Sequence, residues 1–201
     1  GRRLFRRLEK GGFEQARELY ERAIEADPGH ALALAGLAGL RAMRYTFTTD
    51  PRDLDAASDY ARRAMAVDTR LAEPLVWLGY AEMRRGRLDE AYEMERRAEA
   101  LDPASGYPPY FAGCARLFGH RPGEAVEPFQ RAVLREPPSG FAWVGLAAAH
   151  FAFGRLAEAR WCLGEALAME SAPGGSNTVG VRAYVGECLR LEGRLDEART
   201  E

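Results

Sequence analysis

Three histidines could support acid–base or metal chemistry in this 201-residue chain. They are His30, His120 and His150. A metal-binding helix carries two histidines four residues apart, and none of the three has such a neighbour. In the helical pattern described below, they fall between repeats, in a turn and at a packing position. We therefore predict structural roles for them and no metal site.

The three cysteines, Cys114, Cys162 and Cys188, lie 48 and 26 residues apart. This spacing excludes a zinc site of the C-x-x-C type and a disulfide scaffold. A catalytic thiolate needs a histidine beside it. The histidine nearest to Cys114 in the sequence, His120, lies six residues further along the same predicted helix, at its far end. We expect all three thiols to act as small apolar groups.

Acidic pairs and glycine-rich segments also have structural explanations. The pairs Asp89–Glu90 and Asp196–Glu197 begin predicted helices, where the helix dipole favours negative charge. The segment Gly174–Gly175–Ser176 has no lysine after it and no strand before it, so it is a linker and not a phosphate-binding loop. The sequence therefore predicts a protein that is not an enzyme and has no cofactor.

The composition excludes two further classes of protein. Lysine and arginine total 28 and aspartate and glutamate total 30, so the net charge is -2 and no basic excess is present for nucleic acid. No apolar run approaches the 18 residues of a membrane span. The chain starts at Gly1 and ends on Glu201 within a helical pattern, so we expect a piece of a longer, cytoplasmic protein. We interpret the basic segment 2–8 as the remnant of a repeat helix.

An internal repeat organises the whole chain. Alanine is followed by alanine seven residues later at successive intervals of 41, 34, 34, 34 and 39 residues. The pairs are Ala16 and Ala23, Ala57 and Ala64, Ala91 and Ala98, Ala125 and Ala132, and Ala159 and Ala166, with Ala198 opening a sixth copy. A turn residue precedes most copies by four or five residues, as Gly86, Gly154 and Gly193 do. This pattern predicts pairs of helices joined by left-handed turns, with alanines buried where the helices cross.

These features resemble the tetratricopeptide repeat, a 34-residue helix–turn–helix unit. Its first-helix signature is present as Leu75, Leu78 and Gly79, and its second-helix signature as Ala125, Phe129, Ala132 and Pro137. The resemblance implies an all-α superhelical solenoid of antiparallel helix pairs, with five repeats and a partial sixth. We expect one domain over 1–201, with insertions near 45–50 and 174–178. In the first insertion, Asp50 should cap a helix that begins at Pro51.

The resemblance also places the first helix of each repeat on an inner, concave surface. An apolar, aromatic stripe follows from that register. The groove candidates are Tyr80, Met83, Arg84, Tyr107, Tyr110, Leu117, Phe118, Phe141 and Phe151. The carboxylate clamp that grips chaperone tails in this family needs lysine and asparagine there. Because the only lysine is Lys10 and the only asparagine is Asn177, we exclude a clamp partner.

Two functions remain open for such a module. The first is a scaffold that binds a protein or peptide with an apolar segment, as part of a larger regulatory or assembly protein. The second is structural, in oligomerisation or interdomain packing without a peptide ligand. We expect self-association through the C-terminal repeat, because its helix would expose Val181, Val185, Leu189 and Leu191.

Overall fold

The computed structural model describes residues 12–135, 140–170 and 178–200. For residues 170 and 178–180 it describes the backbone and not the side chains. Its described residues form helices joined by short turns. The helices are α1 (Gly12–Ala26), α2 (Ala31–Thr48), α3 (Pro51–Val67), α4 (Glu73–Arg84), α5 (Leu88–Leu101), α6 (Tyr107–Phe118), α7 (Pro122–Val133), α8 (Gly140–Ala152), α9 (Leu156–Glu170), α10 (Thr178–Leu191) and α11 (Leu195–Ala198). The all-α fold of paired helices is therefore confirmed.

The helices are grouped into two compact units, Gly1–Pro103 with α1–α5 and Ala104–Glu201 with α6–α11. Within each unit, every helix packs against the next one along the chain. The first helices of adjacent repeats also pack side by side, α2 with α4 in unit 1 and α6 with α8 in unit 2. This second set of contacts makes each unit a stack of repeats.

Four turns between paired helices share one geometry. The residue that leaves the first helix has a left-handed backbone at Gly86, His120, Gly154 and Gly193, with φ between 56° and 82°. The next residue then donates its N–H, at 2.9 Å, to the carbonyl five residues back. These bonds are Arg87 to Glu82, Arg121 to Arg116, Arg155 to His150 and Arg194 to Leu189. This is the Schellman arrangement, which satisfies the last carbonyls of a helix and reverses the chain.

The predicted alanine positions are buried. Ala91, Ala98, Ala125, Ala132, Ala159 and Ala166 are all at most 1% exposed. A methyl side chain lets two helix backbones approach closely, so these residues lie at the crossings. The predicted start of α3 is also confirmed, because the Asp50 carboxylate accepts from the backbone N–H of Arg52 at 3.0 Å and Pro51 is the first helical residue.

The expectation for the C-terminal repeat is largely wrong. Val181, Val185 and Leu189 are buried in the core of unit 2, together with Leu163 of α9. Helix α10 packs on α9 through this face, so its apolar residues are covered by the chain itself. Leu191 alone of the four expected residues is exposed. The predicted insertion at 174–178 lies outside the described residues except for Thr178, which begins α10.

Glu95 occupies an unusual place in the core of unit 1. It follows Ala91 by four residues, as Phe129 follows Ala125 and Tyr20 follows Ala16, and it is fully buried. Neither carboxyl oxygen has a hydrogen-bond partner, and Oε1 lies against the backbone of Gly79. Burial raises the pKa of Glu95 well above its usual value, because the ionised form loses its hydration.

The first prediction tests the helix crossings. Ala125→Leu should lower the free energy of unfolding by about 1–3 kcal/mol, because the added atoms overpack a filled contact. Ala157→Leu is the matched control, since Ala157 is exposed on α9 and should change stability by about 0.5 kcal/mol or less. Equal melting curves for the two variants would contradict the assigned register.

The second prediction concerns His120, which adopts the left-handed backbone without being glycine. His120→Gly should raise the free energy of unfolding by about 1 kcal/mol, since a side chain is strained at this φ. Gly154→Ala at the equivalent turn should change stability in the opposite direction by a similar amount. Thermal or urea unfolding measures both, and a destabilised His120→Gly would show that the imidazole itself holds the turn.

The third prediction uses the buried carboxyl group. Because the folded protein holds the Glu95 proton more tightly than the unfolded chain, this residue stabilises the fold below the usual glutamate pKa and loses that contribution as pH rises through the raised pKa. Glu95→Gln should therefore match the wild type near about pH 4 and be more stable at about pH 8, by on the order of 1–3 kcal/mol. Glu93→Gln, on the exposed side of α5, should show no such pH-dependent difference. If the free energy of unfolding depended on pH in the same way for Glu95→Gln and the wild type, the prediction would be wrong.

Candidate functional site

The histidines have structural roles. His30 caps α2, its Nδ1 accepting from the backbone N–H of Ala33 at 3.3 Å, and His120 forms the left-handed turn. His150 is buried on α8, and its Nδ1 has no hydrogen-bond partner. Burial lowers the pKa of His150, so the ring is neutral at physiological pH. None of these arrangements positions a general base toward a substrate.

Two of the three thiols are unsuited to nucleophilic chemistry. Cys162 and Cys188 are buried in the core of unit 2, and burial raises the pKa of Cys162 to about 11. Burial raises the pKa of Cys188 as well, so both stay protonated and unreactive. Cys114 is half-buried. Among the described residues, histidines, cysteines and carboxylates form no cluster of three that could bind a metal, and no helix could cross a bilayer.

The groove candidates of unit 1 are mostly covered. Tyr80 and Met83 are each only 6% exposed. The hydroxyl groups of Tyr80 and Thr46 lie 2.9 Å apart in a hydrogen bond, because α2 continues past the usual repeat length and lies against α4. Arg84 is exposed, with its guanidinium 5.2 Å from the centre of the Tyr45 ring. Tyr80 and Met83 therefore offer almost no surface to a partner, whereas Arg84 does.

The candidates of unit 2 are more accessible. Tyr110, Leu117 and Phe151 are partly buried and pack on the hydrophobic core of the unit. Phe118 is 51% exposed and Phe141 is 60% exposed. Tyr107 is half-buried at the first residue of α6. We call the set Tyr110, Leu117, Phe118, Phe141 and Phe151 the aromatic stripe.

Helical spacing explains the stripe. Residues 110 and 117 are two turns apart on α6, so they share one face, and the neighbouring α8 carries Phe151. The Tyr110 ring lies 6.0 Å from the ring of Phe129, which fixes it against the core. The Tyr110 side chain is only partly buried. Tyr110, Leu117 and Phe151 thus pack on the core while keeping some surface exposed.

The register did not identify Tyr184, which extends this surface onto α10. Its ring centre lies 5.0 Å from that of Phe151. In the sixth repeat, the register of the family places Ala183, and not Tyr184, on the inner face. An aromatic residue one position away from that expected position was the signal that could have identified it.

Charged side chains of unit 2 are largely neutralised in pairs. Arg116 pairs with Glu124 at 3.4 Å, and Arg190 pairs with Glu187 at 2.6 Å. The hydrogen bond from Arg190 lowers the pKa of Glu187. These pairs compensate part of the charge on the surface of unit 2.

In unit 1, one buried carboxylate is shared by several polar groups. Asp53 is buried and accepts from Arg44 and Thr48, while Arg41 lies 3.4 Å from the same carboxylate. Burial by itself raises the pKa of Asp53, but the hydrogen bonds from Arg44 and Thr48 outweigh it and lower that pKa below its usual value. Two guanidinium groups thus share one buried carboxylate.

The fold and its surfaces define a helical-repeat protein of the scaffold class. The tetratricopeptide repeat profile matches residues 6–66 and 112–176, more than half of the chain. The chain belongs to the tetratricopeptide repeat family. Members of such helical-repeat families present extended binding surfaces built from stacked repeats.

Solved structures of low sequence identity share this fold. PilF of Pseudomonas aeruginosa is 22% identical, with a TM-score of 0.72 over 99% of this chain and 85% of PilF. PilW, a type IV pilus biogenesis factor, is 19% identical, with a TM-score of 0.74 over 94% of this chain and 82% of PilW. A thermophilic protein of the same family from Thermus thermophilus is 21% identical, with a TM-score of 0.70 over 90% of this chain and 92% of that one. No curated protein sequence matches the chain.

Proposed function

We propose that this chain is a non-catalytic scaffold that binds an apolar segment of a partner protein through the aromatic stripe. One observation carries the proposal: Tyr110, Leu117 and Phe151 pack on the core of unit 2 while staying only partly buried, and the same first helices, α6 and α8, also carry Phe118 and Phe141, which are more than half exposed. Membership of the repeat family supports a protein partner. A module of a larger regulatory or assembly protein in the cytoplasm stays the predicted context.

The chemistry of the stripe suits a peptide or helix. Aromatic side chains bury a large area while losing few rotatable bonds, so they are frequent anchors at protein interfaces. An amphipathic helix presents apolar residues at i, i+3, i+4 and i+7, which is the spacing a groove between parallel helices accepts. The contact of Phe151 with Tyr184 extends the stripe across the first helices of three repeats.

The structure offers little support for competing functions at this site. The thiols of Cys162 and Cys188 are protonated, and the described histidines cap, turn or pack, so the elements of an acyl-transfer or metal site are not assembled there. Self-association through α10 has lost its main basis, since Val181, Val185 and Leu189 are covered. A peptide partner accounts for the exposed aromatics without requiring either.

The fourth prediction tests the stripe with peptides selected from a displayed library of random 12-residue sequences. Selected peptides should be rich in apolar residues, and Tyr110→Ala should weaken their binding by about 2 kcal/mol or more, roughly thirtyfold. Phe118→Ala should also weaken binding and, because Phe118 is half exposed, should leave folding intact. Trp161→Ala is the control, since Trp161 is an exposed aromatic on α9, a second helix.

Binding by titration calorimetry, with circular dichroism to verify folding, distinguishes the outcomes. Affinity that falls steeply with salt and ignores both stripe variants would show that arginines carry recognition. Equal losses for Phe118→Ala and Trp161→Ala would show non-specific apolar binding. Light scattering that gives a stable dimer, with no peptide selected, would favour the structural role.

A further inference from the structure

Helix α2 is longer than the other first helices of the repeats. It has 18 residues, whereas α4 and α6 have 12 each. The extra turns end at Thr48, and Thr49 then takes a left-handed backbone, with φ of 52°, before Asp50 caps α3. The chain thus builds a projecting helix end that the repeat itself does not require.

Buried polar contacts hold this helix end in place on two sides. Toward α3, Arg44 Nε donates to both oxygens of Asp53 at 2.9 Å, and Thr48 Oγ1 donates to Asp53 at 3.0 Å. The shared acceptor, Asp53, is 1% exposed, whereas Arg44 and Thr48 reach it from the surface. Toward α4, Thr46 bonds the hydroxyl group of Tyr80. The projection is a fixed structure, although it lies at the edge of the unit.

The fixed helix end holds an aromatic ring in solvent. Phe47 is 75% exposed, and it shares its helix face with Met43, four residues earlier. Among the described residues of unit 1, none covers most of this ring. An ordered phenylalanine at the tip of a rigid projection is the geometry of an anchor that enters a partner's pocket.

The same corner carries an excess of positive charge at its surface. Arg41, Arg44 and Arg84 contribute three guanidinium groups. Of the two carboxylates near them, Asp53 is buried and Asp50 is paired with a further arginine, Arg52, at 2.7 Å. Arg44 is half exposed, and Arg84 makes no ion pair within the described part of the chain and lies over the Tyr45 ring. The positive electrostatic potential of this corner therefore attracts negatively charged groups.

We propose that this corner, formed by Arg44, Tyr45, Phe47 and Arg84, is a second binding surface, and that its occupant is an acidic protein segment carrying an apolar residue beside its carboxylates. Phe47 fills an apolar position of that segment, and Arg84 with Arg44 pairs with its carboxylates. The corner shares no residue with the aromatic stripe, and it contains neither lysine nor asparagine, so it is not a carboxylate clamp. One exposed ring provides too little apolar area for stable membrane attachment, which favours a protein partner.

The fifth prediction uses three fluorescein-labelled synthetic peptides of equal length as probes, with repeating Glu-Leu, Lys-Leu and Glu-Gly sequences. The intact 201-residue chain should bind the Glu-Leu peptide at least about tenfold more tightly than either of the others, with an affinity that decreases with salt. Phe47→Ala should reduce the affinity to that of the Glu-Gly peptide. Arg84→Ala should cause a comparable loss, and Arg84→Lys a smaller one, because lysine keeps the charge.

Unit 2 provides a matched control. Arg155 lies 4.7 Å from the centre of the exposed Phe153 ring, which repeats the pairing of a guanidinium with an aromatic at a surface. Phe153→Ala and Arg155→Ala should leave binding of the Glu-Leu peptide unchanged.

Several outcomes would overturn the proposal. They are equal affinity for the Glu-Leu and Lys-Leu peptides, absence of binding, and equal losses in Phe47→Ala and Phe153→Ala. A further experiment measures binding of the protein to vesicles of phosphatidylcholine with phosphatidylserine. Binding to these vesicles that depends on Phe47 and exceeds binding to the Glu-Leu peptide would assign the corner to anionic membrane. Because Phe47 and Arg84 are exposed, circular dichroism should show that each variant folds as the wild type does.

Discussion

The close approach of a large side chain on one helix to a glycine on another sets the geometry of each unit. In unit 2, a β-carbon added to Gly145 would lie 2.4 Å from the ring of Phe129, and one added to Gly113 would lie 2.8 Å from it. Since real β-carbons keep more than 3 Å from such atoms, glycine is required for this spacing. Tyr20 meets Gly36 in the same way in unit 1. The ring at each of these contacts thus sets the distance between neighbouring helices. The buried alanines lie at the other helix crossings.

This tight interior explains why the residues capable of chemistry are structural. Cys162 and Cys188 are packed in a core built mainly from small apolar side chains and single rings, so their thiols stay protonated. The exception is Glu95, where a carboxyl group occupies the position of the ring and meets Gly79 without a hydrogen-bond partner. That site lowers stability at neutral pH, because a buried carboxylate lacks compensation there.

Because the interior residues serve packing, we propose that partner proteins bind at the surface. The surfaces of the two units differ in chemistry. Unit 2 presents aromatic side chains whose neighbouring charges are paired, which suits an apolar segment. Unit 1 buries Tyr80 and exposes Phe47 among arginines, which suits an acidic one. The difference arises from the longer α2, since its added turns cover the inner residues of α4 and carry a new ring into solvent.

The sequence alone determined the repeat, its helix pairs, the buried alanines such as Ala125, the left-handed turn at His120 and the cap at Asp50. Each depends on local propensity or on a spacing that recurs, and both can be read along the chain. Tertiary structure decided which inner-face residues stay accessible, covering Tyr80 while leaving Phe118 open and bringing Tyr184 to Phe151. It also buried Val185, which the sequence predicted to be exposed. Burial depends on neighbours distant in sequence, and a repeat with an insertion places those neighbours differently from the regular pattern.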